Sequence, residues 1–460
     1  MYTLIWFQRD LRIHNNPLLE WALQQDKPVI AIYIYSPKED SPWSEGAASR
    51  WWLHQSLTQL SKDLAKLNIT LHFFKDNSLD TIEKLSKDLK VSSIGWTNRV
   101  EPNRIACETK IEQRLVDKDI TVERFNSGLI QKPHEFLTAT KNTPYKIFTP
   151  FYRKLRRELD FSDYYGNNTV LKPAKKFTQI RILKSALSLE KLGLLDEHNW
   201  HNKLHKHHSV GEKSAYKKLD NFVDNQICDY LYKRDFPSAD ATSALSPHLH
   251  FGEISTQQIL TTLVPLVEHG IAKTAEAAEG FIRQLIWREF ARYILLHFPG
   301  TANKPMNKKF KPSFWSGNKS NLKKWQQGNT GISIVDAGMK QLWESGCMHN
   351  RVRMLVASLL TKNMGINWQQ GAQWFWDTLV DADLANNSMG WQWVAGCGVD
   401  AAPYFRIFNP ETQAKKFDAN NIFQDHWLGQ GTSVNKPVVD LSTSRNDALA
   451  RYNKHIRNST

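Results

Sequence analysis

Cysteine is scarce in this chain. Its four copies among 460 residues, Cys107, Cys228, Cys347 and Cys397, stand too far apart for a zinc knuckle or a Cys-x-x-Cys redox pair, so reduced structural thiols and no metal site are expected. Long apolar runs are missing as well, and none approaches the roughly 20 residues of a membrane span. The opening Met-Tyr-Thr-Leu-Ile-Trp-Phe-Gln-Arg-Asp has neither the basic region nor the apolar stretch of a signal peptide. A cytoplasmic protein, monomeric and without a membrane partner, is expected. No Gly-x-Gly-x-x-Gly follows the first apolar stretch, which disfavours an ordinary Rossmann dinucleotide site. Acid is in deficit: 46 Asp and Glu face 60 Lys and Arg, for a formal net charge of +14. Such a surface attracts polyanions, and nucleic acid is the first partner to expect. The 17 Trp and 13 Tyr add stacking platforms for unpaired bases, although most will fill a core.

At 460 residues the chain exceeds one ordinary core, which predicts two or three domains. Tyr2-Thr3-Leu4-Ile5-Trp6 reads as a buried strand, and the turn through Asn15, Asn16 and Pro17 opens a helix at 18–23. The alternation continues with strands at 28–35, 70–74, 93–96 and 121–125, and helices at 47–67, 79–89 and 103–116. Five strands alternating with helices predict an α/β doubly wound parallel sheet, whose ligands sit beyond the strand C-termini. Residues 126 to 212 carry little periodicity. Their cluster His201, His205, His207 and His208 alternates with Lys203 and Lys206, whose charge opposes a metal ion, so a solvated linker is expected. Beyond Glu212 helical spacing dominates, at 214–225, 255–267, 275–298, 334–345, 350–361 and 369–380. The predicted division is an α/β domain at 1–130, a linker at 131–212 and an all-α domain at 213–460.

The run Asp381-Ala382-Asp383-Leu384-Ala385-Asn386-Asn387-Ser388-Met389-Gly390-Trp391-Gln392-Trp393 joins carboxylates, amides and tryptophans. Acid and amide suit the polar edge of a flat heteroaromatic molecule, while indole offers stacking or an electron path. A helix end with Asn caps and core tryptophans explains the run equally well. In Thr242-Ser243-Ala244-Leu245-Ser246-Pro247 the hydroxyls precede a helix-starting Pro, as a phosphate cradle or as ordinary caps. Gln284, Arg288 and Arg292 recur every four positions on one helical ridge, with Phe281 and Trp287 beside Gln284; such a ridge faces water or a polar ligand. Asn350 and Met354 share a helix face, while Arg353 is placed to pair with an acid such as Asp381 and Arg351 to meet a phosphate.

Several longer motifs then occur in order over nearly the whole chain. They are Trp6-Phe7-Gln8-Arg9-Asp10-Leu11-Arg12, Lys233-Arg234-Asp235-Phe236-Pro237, Leu285-Ile286-Trp287-Arg288-Glu289-Phe290, Met348-His349-Asn350-Arg351-Val352-Arg353-Met354, and Gly390-Trp391-Gln392-Trp393 with Asp400-Ala401-Ala402-Pro403-Tyr404-Phe405-Arg406-Ile407-Phe408-Asn409-Pro410. This set resembles the photolyase/cryptochrome family, and within it microbial class I cyclobutane pyrimidine dimer photolyases most. The resemblance implies FAD bound in a bent shape in the helical domain and UV-damaged DNA as partner. It also implies light-driven electron transfer from reduced flavin to a dimer, which must be flipped out of the stack to come close.

What the resemblance implies for single residues follows the motifs. Tyr230, Thr242, Ser243, Leu245 and Ser246 match positions that hold the pyrophosphate and ribityl chain, and Phe281, Gln284, Arg288 and Asn350 match positions against the cofactor. Asp381 with Arg353 resembles the salt bridge beside the flavin, Asp383 the acid near its ring edge, and Asn387 the amide facing N5. Gln284, Asn350, Met354 and Asn387 take the catalytic positions. Trp391, Trp368 and Trp315 match the electron-transfer chain, Trp287 and Trp393 the walls around the flipped lesion, and Arg234, Arg351 and Arg406 the basic positions for flanking phosphates.

Some residues depart from the family pattern. Gln284 stands where a cyclobutane-dimer photolyase has Glu; an amide donates an N–H bond but supplies no proton. That keeps a (6-4) photolyase and a non-repairing blue-light photoreceptor as alternatives, although (6-4) enzymes carry a histidine pair where this chain has Asn350 and Met354. Ala244 replaces an Arg near the cofactor phosphates. Glu101-Pro102-Asn103-Arg104 lacks the Glu expected after Asn at a methenyltetrahydrofolate site, so a second antenna chromophore, folate or deazaflavin, stays open. The chain closes at Thr460 without the long tail of signalling cryptochromes, which favours an enzyme.

Overall fold

The computed structural model describes residues 1–126, 130, 134–159, 183–195, 198–431 and 435–457. Strands β1 (Tyr2–Phe7), β2 (Val29–Ile34), β3 (Leu71–Phe74), β4 (Val91–Thr97) and β5 (Thr121–Phe125) form a parallel sheet in the order β3-β2-β1-β4-β5. The crossovers are α1 (Pro17–Gln24), α2 (Ala47–Lys66), α3 (Ser78–Asp88) and α4 (Pro102–Val116). Ile5 and Phe7 enter one apolar layer with Trp51 and Trp52 of α2, while Leu4 and Trp6 enter the other with Ile82 and Ile111 of α3 and α4. Both faces of β1 and β2 are therefore covered, which is why these strands read as continuous apolar runs, while the edge strand β5 stays partly exposed. The winding direction reverses between β1 and β4, so a crevice opens beyond their C-terminal ends.

The second half is helical. The long helix Ala272–His297 runs through one core beside Thr256–His269, and a second core gathers Ser333–Ser345, Asn350–Ser358, Trp368–Thr378 and Leu384–Ala395. Among the described residues no helix is long and apolar enough to cross a membrane.

Two expectations need correction. The stretch read as a solvated linker contains the helix Phe148–Glu158, which buries Phe148, Phe151 and Leu155 against the long helix. Those residues do follow helical spacing, but Arg153 and Lys154 between them and Arg156 and Arg157 after them mask the period. In the His-rich part Trp200–Lys206 forms 3₁₀ turns, and His201 is buried. The run around Asp383 is the start of a full helix, Leu384–Ala395, and not merely a helix end.

The halves join through paired polar groups. Arg12 Nη1 donates to the Gly252 carbonyl at 3.1 Å, Glu212 accepts from the backbone of Ile13 and His14 at 2.9 and 3.0 Å, and Trp52 Nε1 donates to Glu253 at 3.1 Å. At the start of α2, Ser49 Oγ donates to the Leu379 carbonyl at 3.2 Å. The sheet domain thus holds the loop that leads into Asp381.

Candidate functional site

Asp383 starts the helix Leu384–Ala395 by accepting from the backbone N and side-chain Nδ2 of Asn386, both at 2.9 Å. A carboxylate there also meets the positive end of the helix dipole. Its other oxygen faces Arg292 at 3.5 Å and His250 at 3.6 Å. Burial pushes this carboxyl up, but His250, Arg292 and Arg288 prevail and hold it well below the usual aspartate range. Burial, with Arg9 adding, pulls His250 down to about 4, so the imidazole is neutral at pH 7 beside an ionised acid.

Asp381 lies in the preceding loop, and Arg353 Nη2 donates to both of its oxygens at 3.1 and 3.0 Å. The Ser246 hydroxyl donates to the same carboxylate at 2.6 Å, which places one of the predicted phosphate-cradle hydroxyls on an acid. Burial raises the Asp381 pKa, and Arg353 and Ser246 outweigh it to leave a net lowering. Arg353 is fixed in turn by its Nε bond to the Met348 carbonyl at 2.8 Å. Asn387 Nδ2 donates to the Ala372 carbonyl at 2.9 Å, tying its helix to Trp368–Thr378. The same two helices approach so closely that a Cβ on Gly371 would lie 2.1 Å from Trp391 Cη2.

On the long helix, Phe281 packs edge-on to Tyr230 at 5.4 Å and against Phe222 at 4.7 Å. Gln284 is half-buried, and its amide donates only a long 3.5 Å bond to the Gly280 carbonyl of its own helix. Trp287 is half-buried with one face stacked on Phe148 at 3.5 Å and 9°. Sequence reasoning missed Phe148, whose helix went unread. Thr242 is exposed, Ser243 half-buried and Leu245 buried, and Ala244 between them takes a φ of 49°, the left-handed region.

An open groove of about 640 Å³ is lined by Arg351, Arg406, Asp235, Phe236, Asn409 and Lys416, among others. Arg351 bonds Asp235 at 2.6 Å and covers the Phe417 ring at 4.4 Å, so one predicted phosphate-binding charge already has a carboxylate partner. Asp235 was not foreseen as that partner, since nothing in the sequence spacing links it to Arg351. Arg406 is exposed, and the Arg234 guanidinium lies 5.1 Å over the Tyr230 ring. Asn350 is exposed, while Met354 and Trp393 are half-buried against the second core. Trp391 and Trp368 are buried within that core, and Trp315 is half-buried on it. Trp391 meets Phe375 at 5.0 Å and Trp325 at 6.1 Å.

Arg288 acts on Asp383 and also reaches the β1–β4 crevice. Its Nη2 donates to the Leu249 carbonyl at 2.9 Å, and it lines a small cavity at the β1–β4 crevice with Arg9, Arg99 and Arg292. Burial, then the neighbouring Arg292, pulls its pKa down to about 9.

These elements define a two-domain protein, a doubly wound sheet joined to a helical domain that has a tryptophan-rich core and carries a groove lined by Arg351, Arg406 and Lys416. Residues 281–440 match the family model for the FAD binding domain of DNA photolyase, and residues 3–174 match that for DNA photolyase. The chain is 38% identical to the deoxyribodipyrimidine photo-lyase of Agrobacterium fabrum over 98% of this chain and 97% of that protein. It is 31% identical to cryptochrome-2 of Arabidopsis thaliana over 96% of this chain and 77% of that protein. Its structure is similar to that of a bacterial class III photolyase from Agrobacterium tumefaciens, with a TM-score of 0.90 and 34% identity over 99% of this chain and 98% of the other. The chain belongs to the photolyase/cryptochrome family, with a helical domain that includes the FAD-binding domain of that family. A likeness to a class III enzyme now stands beside the class I likeness carried by the motifs.

Proposed function

We propose that this protein uses FAD and blue light to repair cyclobutane pyrimidine dimers in DNA. The observation that carries the reading is the convergence of Arg353 and Ser246 on Asp381, in the loop that leads into the helix bearing Asn387, Trp391 and Trp393. That donor set fits FAD. Asn387 must turn its Nδ2 toward the Ala372 carbonyl, an acceptor, and so keeps Oδ1 to accept from a protonated ring nitrogen. FAD when bound supplies a light-excited electron donor, the chemistry no side chain provides.

The remaining roles belong to the chain. Tyr230, Thr242, Ser243, Leu245 and Ser246 hold the pyrophosphate and ribityl chain, with Phe281, Arg288 and Asn350 against the cofactor. Asp381 and Asp383 keep fixed negative charge near the flavin, and Arg353 balances the first. Trp391, Trp368 and Trp315 lead from the buried core toward the surface. Trp287, backed by Phe148, and Trp393 wall the flipped dimer, two joined bases of one strand whose weakened stacking makes them cheaper to extrude than intact ones. Arg234, Arg351 and Arg406 hold flanking phosphates. Gln284 donates to a dimer carbonyl, since a 3.5 Å bond to its own helix is easily given up, and Asn350 and Met354 complete the catalytic lining.

The same reading divides the chain into an antenna domain at 1–130, a linker at 131–212 and an FAD- and DNA-binding domain at 213–460, acting as a cytoplasmic monomer. A methenyltetrahydrofolate or deazaflavin antenna is identified by releasing the chromophores of the native protein and weighing them. Gln284 and the likeness to cryptochrome-2 favour a second reading, a blue-light photoreceptor. Reduced protein illuminated with dimer-containing oligonucleotide should restore thymine absorbance, with no change in the dark. Turnover only on a (6-4) substrate replaces the lesion assigned here. Photoreduction without repair of either lesion selects the photoreceptor.

A further inference from the structure

Lys362 has none of its surface exposed, an unusual place for a lysine. It lies in the wide helical turn Leu359–Asn363 that follows Asn350–Ser358. Its amine donates to the Arg406 carbonyl at 2.8 Å and sits 5.2 Å over the Tyr404 ring. Its own carbonyl accepts from Arg451 at 2.8 Å, and Tyr404 stacks on Tyr452 at 4.6 Å, so the helix Leu441–Tyr452 closes the arrangement from behind. Burial, with Arg406 adding and Cys397 opposing, draws the amine down to about 7; charged or neutral, it still donates to the carbonyl.

The segment this amine holds, 398–409, has neither helix nor strand. Arg406 N closes a turn onto the Pro403 carbonyl at 2.9 Å, and Phe408 N is tied to Ser358 Oγ at 3.2 Å. With its N–H in the turn and its carbonyl on Lys362, the Arg406 backbone is fixed on both sides while the side chain is exposed along the groove. An apolar side chain of similar length would fill the same space without the desolvation that a buried amine costs. The amine therefore serves the geometry of the segment more than its packing.

We propose that Lys362 is a positioning residue for damaged-DNA binding, holding the 398–409 segment through the Arg406 carbonyl so that Arg406 meets a phosphate beside the lesion. The ligand rests on the repair reading; the positioning does not. The test uses FAD-loaded full-length protein carrying K362M, R406A or both, with affinity for a dimer-containing duplex and amide hydrogen exchange of 398–409 as readouts. Each single change should weaken binding about tenfold, the double should be no weaker than R406A alone, and the amides of Arg406 to Phe408 should exchange about tenfold faster in K362M. Flavin photoreduction stays unchanged in K362M. Unaltered exchange in K362M, or a full further loss of affinity on the R406A background, overturns the proposal. If the unsubstituted protein does not prefer dimer-containing DNA, the repair reading fails, and exchange alone then decides the positioning. Should K362M not load FAD, Lys362→Gln, too short to reach the carbonyl, replaces it in the same cycle.

Discussion

In the proposed repair reaction, Gln284 is the residue on which lesion chemistry turns. There its amide would offer the dimer a neutral N–H donor, where a protonated carboxyl would offer a stronger one. A bond better by about 1 kcal/mol corresponds to about fivefold, so Gln284→Glu should raise repair per absorbed photon by about that factor, measured as thymine absorbance recovered per photon. No gain would show that Gln284 does not touch the dimer.

Asp381 and the buried histidines set the response to acid. The folded pKa of Asp381 lies below its ordinary 3.8, so the stability from Arg353 and Ser246 is complete above that value and is lost as pH falls through the lower, folded one. His250, His208 and His349 are pulled by burial from 6.5 to about 4; the unfolded chain takes these protons first, and stability falls as pH drops through that window. Thermal midpoints should therefore decline from pH 6.5 toward 4 before Asp381 contributes. Asp381→Asn should cost about 2 to 3 kcal/mol, toward the low side for a buried pair because Arg353 is 27% exposed, and should lower the FAD retained on purification.

Among elements, the contact of Leu384–Ala395 with Trp368–Thr378 is the most exacting. Gly371→Ala would favour the helix by about 1 kcal/mol in isolation. The added methyl would sit 2.1 Å from the Trp391 ring, which a rotamer change cannot relieve in a full core, and overpacking costs about 1 to 3 kcal/mol. The clash wins: a net loss near 1 kcal/mol and slower flavin photoreduction are expected by thermal melting and by absorbance under blue light. Elements differ in how well the sequence announces them. The sheet is legible because its strands are short, mostly apolar and regularly spaced by helices. Phe148–Glu158 escapes because its buried positions are only Phe148, Phe151 and Leu155, set among basic residues. Leu384–Ala395 escapes because it is apolar or amide on nearly every side, so no face stands out.

For the whole molecule, a net charge of +14 predicts salt-sensitive DNA binding, but the count of usable cations depends on the fold. Arg234, Arg351 and Arg406 alone would give a log–log salt slope of about −2.7. Because Arg351 is paired with Asp235, a slope nearer about −2 is expected, and Asp235→Asn should steepen it by about one while tightening binding at low salt. A fluorescence titration across salt concentrations measures both.

The sequence by itself determined the α/β sheet and the helical second half, since periodicity is local and repeats along the chain, and it offered Asp381 as one acid for Arg353 to meet. The tertiary structure decided which charges remain available. Ser246 meets Asp381, Arg351 meets Asp235, Arg288 turns to the β1–β4 crevice and Lys362 reaches Arg406, in each case across a distance in sequence that no spacing encodes. It also placed Phe148 on the back of Trp287. Once water is excluded, a buried polar group takes whichever partner the packing brings to it, and only the folded chain specifies that partner.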